Sequence, residues 1–177
     1  TTGESLHKRG YRKFTPKAPI AENLAAALIK LTPWKGDRIL VDPFCGSGTI
    51  LIEAALIAAN IAPGMKRGYT ALKWDHLIDK KVWDDCYEEA REMVDMSAAV
   101  DLEGSDIDPE MIQIAQQNAR LAGVADMIRF GQRDVSRLSH DGKYGFIITN
   151  PPYGERLEDK EDLPPLYRKL GERFRCL

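Results

Sequence analysis

Three cysteines in 177 residues, at positions 45, 86 and 176 and with no C-x-x-C spacing, are too few and too scattered for a disulfide framework or a zinc site. A reducing compartment suits that usage. The chain also lacks any run of about 18 uncharged apolar residues, and residues 1–13 carry charges where a secretory signal needs an apolar centre. A membrane role is not expected, and a cytoplasmic setting is. Basic excess is missing too. The 25 Lys and Arg against 27 Asp and Glu leave a net charge of −2, without the field that non-specific nucleic-acid binders use. Affinity for RNA or DNA must then be local, or supplied by another module. The three histidines, His7, His76 and His140, are scattered as surface residues are, and no metal is expected.

What is present is an ordinary globular composition, 44% hydrophobic and 29% charged, in a length that makes one domain with a core of its own. The charge is unevenly spread. Residues 1–17 hold Lys8, Arg9, Arg12, Lys13 and Lys17 against Glu4, next to Tyr11 and Phe14, as phosphate-contacting segments often do. Residues 75–110 carry thirteen acids against three bases, which a solvated enzyme surface explains without a function.

Periodicity predicts strands alternating with helices. A helix over 20–31 places Leu24, Leu28 and Leu31 on one face and stops at Pro33. A short apolar strand at 38–42 ends in an acid. A helix over 50–60 is apolar almost all round and therefore buried. A charged helix spans 79–96. A strand at 100–106 precedes a helix over 109–122, with Pro near its start and Gly123 just past its end. Strands at 127–130 and 144–149 and a helix from 164 to 174 complete the pattern. This is an α/β fold with a parallel sheet, helices on both faces and ligands beyond the carboxyl ends of the strands. Residues 1–36 form a basic segment and first helix. Residues 37–177 form the core, with an insertion at about 63–98. Four strands are fewer than such sheets usually carry, so a longer parent with further C-terminal strands is expected, and strand four would be left as an edge.

Asp42-Pro-Phe-Cys-Gly-Ser-Gly-Thr49 lies between a strand and a buried helix, where glycines let backbone approach a ligand and helix N–H groups face it. It is neither a phosphate P-loop, lacking Gly-Lys-Ser/Thr, nor a G-x-G-x-x-G turn. Asp42 would repel a pyrophosphate and attract an ammonium group, so a cofactor bearing an amino acid suits it. The alternative is a turn needed only for tight packing. Asp106 ends the second strand where one carboxylate can accept both ribose hydroxyls, about 60 residues beyond the turn. Asp108, just before Pro109, fits a helix N-cap better. Asp134 is placed either to accept from an adenine amino group or to form a turn.

Asn150-Pro-Pro-Tyr153 ends the last strand. An exocyclic amino group on a base is a poor nucleophile because its lone pair is delocalised into the ring. The Asn150 side-chain oxygen and the Pro151 carbonyl can each take one of its N–H groups and aim the lone pair at an incoming methyl. Pro151 and Pro152 hold that carbonyl rigidly and add no donor of their own. Tyr153 can stack on the base, a contact worth roughly 1–3 kcal/mol.

Val41-Asp-Pro-Phe-Cys-Gly-Ser-Gly-Thr-Ile-Leu-Ile-Glu-Ala-Ala55 with Asn150-Pro-Pro-Tyr-Gly-Glu-Arg-Leu157 resembles the S-adenosylmethionine-dependent RNA guanine-N2 methyltransferases whose parent proteins carry a THUMP RNA-binding domain, in particular the RlmL-type enzymes of 23S ribosomal RNA. Ser5-Leu-His-Lys-Arg-Gly-Tyr-Arg12 and Ala18-Pro-Ile-Ala-Glu-Asn-Leu24 are similar to that family's entry segment. The resemblance implies a Rossmann-like class I methyltransferase fold of seven strands, an S-adenosyl-L-methionine cofactor, an RNA substrate and a preceding THUMP domain. It implies that Asp42, Phe44, Gly46 and Gly48 contact the methionine part, with Ser47 and Thr49 in the same turn. Asp106 would hold the ribose and Asp134 the adenine, with Ile107 also on the cofactor, and Asn150, Pro151, Pro152 and Tyr153 a flipped guanine, Asn150 also bordering the cofactor. Arg156 would touch phosphate or cap a neighbouring acid. The competing readings are a tRNA guanine-N2, DNA adenine-N6 or protein glutamine methyltransferase, a nicotinamide-dependent oxidoreductase, and a non-catalytic interaction module.

Overall fold

Ile39, Leu40 and Val41 bury their side chains alternately on opposite sides of one strand. Leu40 joins Leu51, Ile52 and Leu102 in the main core, while Ile39 and Val41 meet Leu138 and Ile147 on the other face. A strand covered on both faces belongs in the middle of a parallel sheet. In the computed structural model, which describes residues 3, 5–12, 19–139, 144–153 and 163–175, β1 (Leu40–Asp42) lies there. It is flanked by β2 (Leu102–Asp106) and β4 (Phe146–Ile147), with β3 (Ile128–Gln132) beyond β2, in the order β3-β2-β1-β4. All three pairings are parallel, with Leu40 opposite both Leu102 and Phe146, and Leu102 opposite Ile128. The strand order reverses at β1, the place where α/β sheets open a crevice at their carboxyl ends.

The helices α1 (Glu22–Leu31), α2 (Thr49–Ala58), α3 (Lys80–Glu92), α4 (Pro109–Ala122) and α5 (Leu163–Phe174) account for the periodic segments. Every residue of α2 from Thr49 to Leu56 is buried, as its unbroken apolar sequence predicts. The limits of α4 agree with the sequence: the Asp108 carboxylate accepts the Glu110 N–H at 2.8 Å, and Gly123 follows at φ 82°. Along α3 no residue is buried, and the helix stops at Glu92 instead of Met96. No helix among the described residues is long and apolar enough to cross a membrane.

Three expectations need correction. The inward face of α1 is Glu22, Ala25 and Ile29, and Leu24 and Leu31 are exposed. Alanine lets α1 lie close against α2, and Glu22 enters because Arg12 accompanies it at 3.1 Å, so of the three leucines only Leu28 packs against the core. The basic segment, second, is turned inward. Arg9 lies 3.5 Å from the buried Glu53, Tyr11 is buried and donates its hydroxyl to the same carboxylate at 3.0 Å, and Arg12 also donates to the Ile20 carbonyl at 2.6 Å. Two of the arginines read as phosphate contacts are thus spent on internal acids. Last, β4 is only two residues long, since Tyr144 is exposed at φ 65°, outside the extended region.

Between α2 and β2, the segment 63–98 holds a 3-10 turn (Thr70–Lys73) and α3. Arg67 stacks over the Tyr69 ring, which stacks on Trp83, and donates to the Ser5 carbonyl at 3.2 Å. This segment therefore fastens the N-terminal segment to the domain.

Candidate active site at the strand tips

The carboxyl ends of β1, β2 and β4 bring the sequence-predicted residues together. After β1 the chain turns through Gly46 at φ 49° and Gly48 at φ 80°, both in the left-handed region that glycine tolerates. A Cβ on Gly48 would also come within 3.0 Å of Ala115 and Phe130. The turn is tied down from three sides: Cys45 N–H to the Ser105 carbonyl at 2.9 Å, Gly46 N–H to the Asp106 carboxylate at 3.0 Å, and the Asn118 amide to the Ser47 carbonyl at 3.2 Å. Ser47 and Thr49 face inward and hydrogen-bond each other at 3.2 Å, so the turn's outer surface is its backbone and Phe44.

Asp42 is 1% exposed, and one carboxylate oxygen accepts the Thr149 hydroxyl at 2.6 Å and the Phe44 N–H at 3.2 Å. Burial raises its pKa to about 7, further assisted by the neighbouring Asp106 charge and opposed by those two hydrogen bonds. No basic side chain of the described residues pairs with it. A buried acid that meets no cation among the described residues fits a ligand that carries an ammonium group.

Asp106 stands at the tip of β2. Its second oxygen accepts the Asp108 N–H at 3.1 Å, so this side chain holds the glycine turn and the start of α4 at a fixed spacing. Ile107 beside it is exposed and offers an apolar edge. Asp134 caps a 3-10 turn (Val135–Arg137) by accepting the Ser136 N–H at 2.8 Å, and the hydrogen bonds with Ser136 hold its carboxyl below the usual range. Of the two roles open to it in the sequence, the turn-forming one is present.

Asn150, Pro151 and Pro152 are partly buried and Tyr153 is 46% exposed, directly after Thr149. Sequence reading missed three residues. Thr149 is linked to Asp42 across 107 positions, and its one usable signal was its place at the end of a strand beside Asn150. Asn118, inside α4, and Tyr167, whose hydroxyl donates to the Pro152 carbonyl at 3.1 Å, left none. Arg156, His140 and Cys176 lie outside the described residues. A cavity of about 370 Å3 beside α2, lined in part by Ala26, Glu53 and Met93, holds none of the candidate site residues.

A glycine turn at the switch point of a parallel sheet, acids at the tips of β1 and β2, and N-P-P-Y after β4 define a methyltransferase core. Residues 9–176 match the RMKL-like methyltransferase domain, and the chain belongs to that family. YpsC of Bacillus subtilis, named as an RNA methyltransferase, is 46% identical over the whole chain, which covers 46% of it. The ribosomal RNA large subunit methyltransferase K/L of Shewanella baltica is 43% identical over 98% of the chain and 25% of its own length. The crystal structure of SMU.472, named as a methyltransferase and complexed with S-adenosylhomocysteine, superposes with a TM-score of 0.93 at 44% identity, covering 100% of this chain and 46% of that one. This chain thus spans half or less of these relatives.

Proposed function

We propose that the domain transfers a methyl group from S-adenosyl-L-methionine to the exocyclic N2 of a guanine in RNA, 23S ribosomal RNA being the favoured substrate. The observation that carries this is the 2.6 Å bond from Thr149 to Asp42, which joins the cofactor turn and the N-P-P-Y segment into one cleft. The acceptor class is supported by the names of YpsC and of the K/L enzyme.

The cofactor supplies an electrophilic methyl on a sulfonium centre. In this reading the Asp42 carboxylate and the Ser47 N–H of the glycine turn receive its amino-acid end, Asp106 its ribose hydroxyls, and Ile107 and the Asp134 turn the face and edge of its adenine. Asn150 Oδ1 and the Pro151 carbonyl each accept one N–H of the guanine amino group, localising its lone pair, while Tyr153 stacks on the ring. Positioning and polarity carry most of the acceleration. The proton becomes acidic only once the nitrogen is alkylated, so no strong base is required. The base must be extruded from any duplex to reach an enclosed donor. The domain's charge of −2 gives little RNA affinity, which a THUMP-type module of a longer protein would supply, in a cytoplasmic setting.

Calorimetric titration with S-adenosylhomocysteine, with NAD as control, tests the cofactor. Saturable binding of the first alone is expected, and binding of NAD alone would overturn it. Labelled-donor assays on a 23S transcript, duplex DNA and protein then decide the acceptor. Transfer to the DNA alone would favour the adenine reading, a name that the 47% identical Listeria monocytogenes structure carries.

A further inference from the structure

The segment that is to hold the substrate base is anchored on both sides, and only one anchor belongs to the cofactor floor. On the N-terminal side Thr149 is held by Asp42. On the C-terminal side the Tyr167 hydroxyl of α5 donates to the Pro152 carbonyl at 3.1 Å, across 15 residues. Between these points the pyrrolidine rings fix φ at residues 151 and 152, so the directions of the carbonyls depend on the ψ angles. Residue 152 has no N–H to offer. Its carbonyl is the one backbone group through which its orientation can be held, and a phenol holds it.

The bond has little to do with holding the domain together, since Tyr167 is 44% exposed and its hydroxyl would be equally well satisfied by water. Its direction is nevertheless set firmly. Leu170, one turn further along α5, is buried, and the helix lies against the 3-10 turn Val135–Arg137. The charge of Lys169 helps keep the Asp134 carboxyl ionised from the same helix. Thus α5 touches both the Asp134 turn and the N-P-P-Y segment.

We infer that Tyr167 is a positioning residue for methyl transfer: by holding the Pro152 carbonyl it keeps the Pro151 carbonyl and the Tyr153 ring aimed at the target base, and through α5 it sets that aim relative to the Asp134 turn. This rests on the proposed roles of Asn150, Pro151 and Tyr153.

The test is Tyr167→Phe in the full-length protein, which removes one oxygen and keeps the ring. Two readouts are taken: steady-state transfer to a 23S transcript, and backbone amide exchange at Tyr153 with S-adenosylhomocysteine bound. The expected result is a kcat lowered about three- to tenfold, the size of one net hydrogen bond. RNA KM and S-adenosylhomocysteine affinity stay within twofold, the melting temperature is unchanged, and Tyr153 exchanges faster. Leu170→Ala serves as the structural comparison, lowering the melting temperature. Unchanged exchange at Tyr153, unchanged kcat, or a kcat loss matched by losses in melting temperature and cofactor affinity would each overturn the inference. If the wild-type protein does not methylate the transcript, the RNA reading fails, and the exchange result alone decides whether Tyr167 orders the segment.

Discussion

Asp42 and Glu53 are buried to almost the same degree, 1% and 2% exposed, and the fold treats them in opposite ways. Glu53, midway along α2, receives Arg9 at 3.5 Å and the Tyr11 hydroxyl at 3.0 Å. Burial still pushes its pKa up, with the Arg9 charge pulling the other way. Asp42 receives one hydroxyl and one N–H, has Asp106 as a charged neighbour, and is left near pKa 7. An acid that brings its own cation is finished when the chain has folded. One that does not keeps an unfilled electrostatic demand at the crevice, and a ligand with a positive group can meet it. The difference separates a carboxylate satisfied by the fold from one proposed to bind more sharply than burial or residue type does.

The largest expected effect checks that chemistry lies at the unfilled end. Asn150→Ala should lower turnover about 100- to 1,000-fold, the scale for deleting one positioned polar group at a reacting centre, and leave S-adenosylhomocysteine affinity within a few-fold by calorimetry. Equal losses in both would remove Asn150 from the reacting centre. Next comes the pH dependence of Asp42. The folded carboxyl keeps its proton to about pH 7 while the unfolded one releases it near 3.8, so the folded state holds the extra proton between those values. Stability from this group is complete below pH 3.8 and lost as pH rises through 7, by about 4 kcal/mol at most. Urea denaturation of wild type and Asp42→Asn from pH 4 to 8 should show the variant gaining on the wild type up to pH 7 and no further. A constant difference would mean that Asp42 is ionised throughout. Smaller is the compensated site: Glu53→Ala leaves Arg9 partly buried without its acid and should cost about 3 kcal/mol in the same denaturation, with cofactor affinity unchanged.

Much of this was legible in the sequence because the signals were local. The caps of α4, the full burial of α2 and the parallel alternation follow from residues a few positions apart. The grouping of Asp42, Asp106 and the Gly46 turn follows from the ends of two adjacent parallel strands. What escaped was long-range: Arg12 carrying Glu22 inside, Arg9 and Tyr11 closing on Glu53 42 positions away from Tyr11, Asn118 reaching Ser47 71 positions back, and Tyr167 meeting Pro152. None of these pairs has a periodicity. Leu24 and Leu31 misled for the converse reason, since helix period marks a stripe without saying whether a neighbour covers it.

Leu40 finds its sheet partners 62 residues further on, at Leu102, and 106 residues further on, at Phe146. Longer closure costs more chain entropy, about 0.6 kcal/mol per doubling, and β4 offers β1 only two paired residues in return. As a nascent chain is extruded, β1, β2 and β3 with their helices can assemble while β4 is still being synthesised. In the finished molecule the Phe146 and Ile148 amides, bonded to the Ile39 and Val41 carbonyls, belong to a pairing of two register pairs against three on the β1–β2 side, and Thr149 just beyond them closes on Asp42. The segment proposed to hold the substrate base hangs from the shorter of the two pairings that β1 makes.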